Sequence, residues 1–172
     1  MRLTYADPPY LGCGQSHYGY PEWDDPERHR HLIAQLMDES PEAWALSLHT
    51  PSLAVLAPMM PEGVRWGAWC KSFASFKPNV NPAYTWEPVA FYGGRKHRSR
   101  EEPTVRDFVV CPITLRKGLT GAKPEAFSRW IFAMLGALPQ DEFVDLFPGT
   151  GGVMAAWQAF AGQSLLNEAS SV

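Results

Sequence analysis

The stretch EFVDLFPGTGGVMAAWQAFAG, residues 142–162, constrains the fold more than any other part of the chain. A short apolar run passes through a glycine-rich turn directly into an apolar helical pattern, which is the strand, turn and helix of an α/β unit. The remainder alternates in the same way. RLTYA (2–6) is a β-prone run stopped by Asp7-Pro8-Pro9, because proline cannot donate to a ladder and restricts the residue before it. PEWDDP reads as a turn with an N-cap, and the helix after it carries Leu32, Ile33, Leu36 and Met37 at helical spacing. AWALSLHT is a buried strand closed by Thr50-Pro51, SLAVLAPMM a short helix and VRWGAWCKS a further strand. TWEPVAFYGGR is a strand whose Pro88 suits an edge or a bulge.

In KPEAFSRWIFAMLGALP, Pro124 suits the first helical turn, Phe127, Ile131, Met134 and Leu135 form one stripe, and Gly136 helps end the helix. QSLLNEASSV reads as a frayed tail. Alternation of this kind predicts an open, doubly wound, Rossmann-like α/β sheet, mostly parallel, with helices on both faces and ligands at the carboxyl ends of the strands. At 172 residues one domain, 1–172, is expected, with 95–122 as an inserted substrate-recognition loop that is polar, irregular and strand-like only at RDFVV.

Composition narrows the setting. The 16 prolines and 14 glycines imply stiff or sharply turned connections, while 45% hydrophobic and 19% charged residues are those of a packed core. No apolar run approaches the roughly 20 residues of a membrane span and the start lacks the pattern of a secretion signal, so no membrane partner and a cytoplasmic location are expected. Cys13, Cys70 and Cys111 are far apart and odd in number, which predicts reduced thiols and no metal site. His29 and His31 lie two apart and cannot share a helical face, so they are not read as ligands. Trp44, Trp66, Trp69 and Trp130 are expected in the core. Net charge is −3, yet GRKHRSR (94–100) gathers Arg95, Lys96, Arg98 and Arg100 around His97, a strip suited to phosphates or, equally, to solvent.

Two motifs carry chemistry, and both fall at strand carboxyl ends. DLFPGTGG places Asp145, Phe147, Pro148, Gly149, Thr150 and Gly151 between strand and helix, where backbone without Cβ atoms approaches a ligand closely; a tight packing turn is the alternative. DPPY (7–10) sets a carboxylate and the Pro8 carbonyl as rigid acceptors beside an aromatic face. An exocyclic amine whose lone pair is delocalised into a nucleobase needs such acceptors to attack a sulfonium methyl group. A carboxylate also stabilises the positive charge that develops at nitrogen, and Tyr10 offers a surface on which an extruded base stacks. A simple strand-ending turn with Tyr10 in the core is the alternative.

Together, DPPY, the FxGxG-like FPGTG and AKPEAFSRWI resemble the S-adenosylmethionine-dependent amino-methyltransferases of DNA and RNA. Their order, DPPY first and the glycine loop last, is similar to the circularly permuted, β-class DNA N6-adenine enzymes and their MT-A70-like relatives. The resemblance implies catalytic roles for Asp7, Pro8, Pro9 and Tyr10. It implies a cofactor, S-adenosyl-L-methionine, held by Asp7, Lys123, Pro124, Asp145, Phe147, Pro148, Gly149, Thr150 and Gly151. Asp at the first position goes with adenine, and DNA is favoured over RNA as the nucleic-acid partner; RNA N6-adenine, DNA N4-cytosine and a catalytically degenerate binding subunit are the alternatives. His17 and Tyr18, in the loop LGCGQSHYGYPEW, are expected near the target, and Arg95, Lys96, Arg98 and Arg100 on its phosphates. The resemblance also implies a further strand after the glycine-loop helix. Its absence from these residues leads to the expectation of a sheet shortened at the C-terminus, with EFVDLF at its edge, and of a homodimer or second subunit covering it.

Overall fold

The computed structural model describes residues 1–73, 78, 80–96, 100–113 and 122–169, with side chains described as far as 162. The strands are β1 (Arg2–Ala6), β2 (Ala43–Ser47), β3 (Arg65–Cys70), β4 (Trp86–Gly93), β5 (Phe108–Val110) and β6 (Glu142–Asp145), in the spatial order β5-β3-β4-β2-β1-β6. β1 pairs in parallel with β2 and β6, and β3 in parallel with β5, while β4 runs antiparallel to both of its neighbours. The expected open α/β sheet is therefore present, with one reversed strand inside it. Among the described residues β6 pairs only with β1 and lies at the edge.

Alternation along the central strands assigns the two faces. Leu3, Tyr5, Ala43, Ala45, Val89 and Phe91 face α3 (Glu125–Leu135) and α4 (Gly152–Ala169). Ala6, Trp44, Leu46 and Ala90 face α1 (Pro26–Glu39) and the short α2 (Leu53–Leu56). α1 begins where the sequence says it should: Asp25 caps it by accepting from the Glu27 N–H at 3.0 Å, and Leu32, Ile33 and Leu36 are buried. α3 buries Phe127, Ile131 and Leu135 completely, each contributing roughly 1.5–3 kcal/mol of transfer free energy. Pro124 sits at the N-cap of α3, one position earlier than expected.

Four sequence expectations change. Pro88 lies in β4, which is neither an edge strand nor bulged: its carbonyl accepts from the Leu48 N–H at 3.0 Å, and the N–H it lacks would form the return bond of that same rung, where β2 pairing ends. Trp66 is 38% exposed, on the stretch of β3 that the helices leave uncovered, whereas Trp44, Trp69 and Trp130 are buried. The tail expected to fray continues α4 through Ala169. Finally, because β4 is reversed, its end at Gly93 pairs with Ala43, the first residue of β2. The basic strip thus leaves the sheet at the edge opposite the carboxyl ends of β1, β2 and β6, not toward them.

Candidate functional site

The register Tyr5↔Asp145 sets β1 and β6 side by side, so that the acid-proline turn and the glycine loop emerge next to each other at one sheet edge. Between them lies a cleft of about 380 Å³ lined by, among others, Asp7, Pro9, Tyr18, Lys123, Phe147 and Gly149. The loop after β6 turns through positive φ at Gly149 (48°) and Gly151 (75°), which lets its backbone fold against the start of α4 without Cβ strain. Phe147 packs edge-on against the buried Trp23 at 5.2 Å, which ties the glycine loop to the segment that follows the acid-proline turn.

On the floor of the cleft the chain gathers two acids, two lysines and a phenol. The Tyr10 hydroxyl donates to Glu87 Oε2 at 2.8 Å, has Asp7 Oδ1 at 3.2 Å, and accepts from Lys123 Nζ at 2.9 Å. Lys123 Nζ also reaches Asp7 Oδ1 at 3.2 Å and Glu87 Oε2 at 3.0 Å, while Lys71 pairs with Glu87 Oε1. The Lys123 ammonium is walled by the rings of Trp69 and Phe127, 5.1 and 5.5 Å from their centroids. Burial alone would lower the pKa of this ammonium, but Asp7 and Glu87 outweigh it and raise the pKa of Lys123. Glu87 is held down at about 2, since Lys123 and Lys71 together overcome its burial. Asp7 moves the other way: burial raises its pKa, Lys123 offsets this only in part, and Glu87 adds to the rise.

Asp145, at the end of β6, is raised to about 6 by burial, against the Phe147 N–H that donates to its Oδ1 at 3.2 Å and with the help of Asp7; its Oδ2 is buried without a hydrogen-bond partner. A buried, unpartnered carboxylate oxygen beside a cleft offers an acceptor that a bound donor group can complete.

Of the sequence-selected residues, Asp7, Pro9, Tyr18, Lys123, Phe147, Pro148, Gly149 and Thr150 line the cleft, Tyr10 joins the network beneath it, and Asp145 and Gly151 flank the lining residues. Pro8 is buried in the turn, and Pro124 leads from Lys123 into α3. His17 is exposed and bonded to Ser16 Oγ at 2.8 Å, so Tyr18 rather than His17 faces the cleft. The loop that carries both is fixed by Asp24, whose carboxylate accepts from the N–H groups of Gly14 (2.7 Å) and Gln15 (3.0 Å). Arg95 lies at the far sheet edge, where its Nη2 donates to Asp141 Oδ1 at 2.7 Å and its Nη1 to the Gly136 carbonyl at 3.0 Å. Lys96 follows it, Arg100 is exposed, and Arg98 is outside the described residues. Part of the expected recognition loop is tied into the fold: β5 joins β3, and the Trp130 and Trp69 indoles donate to the carbonyls of Arg106 and Cys111.

Glu87, Lys71 and His49 were not legible as site residues, although Glu87 left one signal, an acid between Trp86 and Pro88 in an otherwise apolar strand. His49 follows β2 and stacks on the Tyr10 ring, 5.1 Å between centroids and 20° between planes. Among the described residues no group of histidine, cysteine and carboxylate side chains could hold a metal ion, and no helix is long and apolar enough to cross a membrane.

Two crystal structures share this fold. That of an M1.HpyAVI–SAM complex superposes with a TM-score of 0.62 at 17% identity, over 92% of this chain and 77% of that one. That of M1.HpyAVI superposes with a TM-score of 0.59 at 14% identity, over 94% and 76%. No family model and no curated protein matches the sequence. At these identities the likeness is one of fold.

Proposed function

We propose that this chain is a methyltransferase that uses S-adenosylmethionine to methylate the N6 amine of adenine in nucleic acid, with DNA the favoured substrate. The observation that carries this reading is the single cleft shared by the acid-proline turn and the glycine loop, brought together by the Tyr5↔Asp145 register. The residues present fit the cofactor. Asp145 offers an unpartnered buried carboxylate oxygen to an amino group, and the open turn at Gly149 and Gly151 leaves backbone accessible to a ribose or carboxylate. Lys123 and Pro124 stand opposite, and the fold is shared with a protein crystallised with SAM. When bound, S-adenosylmethionine supplies an electrophilic methyl group on a sulfonium.

The chain does the rest by positioning and charge. Lys123 and Tyr10 both contact Oδ1 of Asp7, which fixes the carboxylate plane and directs its other oxygen to a substrate N–H. The Pro8 carbonyl is the second acceptor. His49 stacks on one face of Tyr10, and in this reading the flipped base takes the other. As the amine nitrogen gains positive charge, the carboxylate of Asp7 stabilises it, and the raised pKa of Asp7 suits it to receive the proton the methylated amine releases. A homodimer or second subunit belongs to the same proposal, with the edge of β6, which pairs only with β1 among the described residues, as its backbone partner. The test is incubation with isotope-labelled S-adenosylmethionine and either DNA or RNA, followed by nucleoside mass spectrometry. Labelled N6-methyldeoxyadenosine, lost in Asp7→Ala, supports the reading; label in cytosine or in RNA alone, or none in any nucleic acid, overturns it.

A further inference from the structure

Beside the cleft, joined to the network just described through His49, stands a second constellation. Cys13 lies in the turn that follows the acid-proline motif, its N–H bonded to the Tyr10 carbonyl at 2.8 Å. Its Sγ is 4.0 Å from Nε2 of His49, at the long end of contact for a sulfur donor. On the far side of the imidazole, Nδ1 is hydrogen-bonded to Ser52 Oγ, and the Ser52 N–H returns to the His49 carbonyl at 3.0 Å, so the ring is held from behind by a buried residue. A nucleophile, a base and a group that orients the base thus stand in sequence, the arrangement that activates thiols. The other thiols differ: Cys111 is buried, its pKa raised by that burial, and its carbonyl is engaged by Trp69; Cys70 closes β3.

We propose that Cys13 is a modification site, a His49-activated thiol that hydroperoxides oxidise to the sulfenic acid, and that this oxidation disrupts the His49–Tyr10 stack beside the cleft. With the imidazole proton on Nδ1 and donated to Ser52 Oγ, Nε2 takes the proton of the Cys13 thiol. The thiolate attacks one peroxide oxygen; the S–O bond forms as the O–O bond breaks. The departing hydroxide, or the alkoxide of an alkyl hydroperoxide, recovers the proton from His49 and leaves as water or the alcohol, so the thiol is oxidised to Cys–SOH and the peroxide is reduced. The consequence for the cleft runs through one contact. His49 stacks on Tyr10, and an oxygen added on Sγ enters the gap that the imidazole edge faces, displacing the ring from the tyrosine it braces.

The effect on methyl transfer rests on the proposed function; the reactivity of the thiol does not. The experiment therefore has two readouts on the whole protein treated with hydrogen peroxide: trapping of sulfenic acid with dimedone, mapped by peptide mass spectrometry, and methyl transfer to DNA. Cys13 is expected to label about tenfold faster than Cys70 or Cys111, and His49→Gln to bring it down to the rate of Cys70. Ser52→Ala, which keeps the base but loosens it, falls between and serves as the second variant should His49→Gln not fold. Cys13→Ser is expected to keep its activity and to resist peroxide that inactivates the parent. Labelling of Cys13 no faster than Cys70, or at the parental rate in both His49→Gln and Ser52→Ala, overturns the site; equal peroxide inactivation of parent and Cys13→Ser overturns its link to the cleft. Fast Cys13 labelling in a protein that methylates nothing sinks the proposed function and upholds the site.

Discussion

Lys123 Nζ stands 3.2 Å from Asp7 Oδ1, a lysine that reaches the acid-proline motif from the other end of the chain with only 6% of its side chain exposed. This ammonium is common to the bonds of Asp7, Glu87 and Tyr10, so the fixed geometry of the motif depends on a residue outside it. Lys123→Met keeps most of the volume and removes the charge, leaving two carboxylates facing each other in a poorly solvated floor. Breaking a buried pair in this way costs roughly 3–5 kcal/mol, and Lys71 on Glu87 places the expectation at the lower end of that range. Urea denaturation measures the loss, and methyl transfer is expected to disappear; unchanged stability would mean that solvent already screens the site.

Glu87→Gln tests the network without breaking its packing. The amide oxygen still accepts from Tyr10, but the negative charge that raises the pKa of Asp7 is gone, and Lys123 is left to Asp7 alone. Both changes favour the Asp7 carboxylate, so the acidic limb of the pH–rate profile should move to lower pH while the maximal rate falls because the acceptor becomes a weaker base. An acidic limb that stays in place would remove Glu87 from the account of Asp7.

Arg95 gives a prediction of the opposite kind, structural and remote from the cleft. Asp141 also accepts from the Met1 ammonium at 2.9 Å and the Leu138 N–H at 2.7 Å, and its pKa is lowered to about 2, the bonds from Arg95 overcoming its burial. A depressed carboxylate stabilises the fold above its unfolded pKa and loses that contribution as pH falls toward 2. Arg95→Ala should therefore cost about 1–3 kcal/mol at pH 7 and little near pH 2, with the Met1 ammonium retaining part of the interaction. Denaturation at the two pH values checks the sign, and the KM for nucleic acid should not change.

The sequence disclosed the strands, the helices and the two loops of the cleft because each is a local pattern: DPPY stops β1 within its own residues, and FPGTGG turns within its own. What it hid depends on strand direction and register. Nothing in TWEPVAFYGG says that β4 is reversed, yet that reversal sends Arg95 away from the cleft and brings Glu87 to the network beneath it. The same holds for His49, which reads as the end of a strand until β2 is laid against β1 and its ring meets Tyr10. Lys123 was legible as a residue beside the glycine loop, whose cleft it lines, but its bonds to Asp7 and Glu87 were not, since they join residues far apart in the chain.

Asp145 tests the proposed cofactor site through pH. Its pKa near 6 comes from burial, with the Phe147 N–H working against the rise and Asp7 adding to it, and its Oδ2 has no partner. A carboxyl raised in the folded state contributes to folding in full below its unfolded pKa, and that contribution is lost as pH rises through 6, where a charge must be held in the interior. Asp145→Asn should accordingly stabilise the empty protein at pH 8 and change it little at pH 4. Binding carries the opposite sign. An ammonium placed against Asp145 needs the carboxylate, so S-adenosylmethionine affinity should strengthen as pH rises through about 6 and fall below it by at most about tenfold per pH unit. Calorimetry at pH 6 in buffers of different ionisation enthalpy should detect proton release on binding, and Asp145→Asn should bind weakly at every pH with no proton release. Affinity independent of pH between 5 and 8 in the parent protein would show that the amino group is held elsewhere and that the orphaned oxygen of Asp145 serves the fold instead.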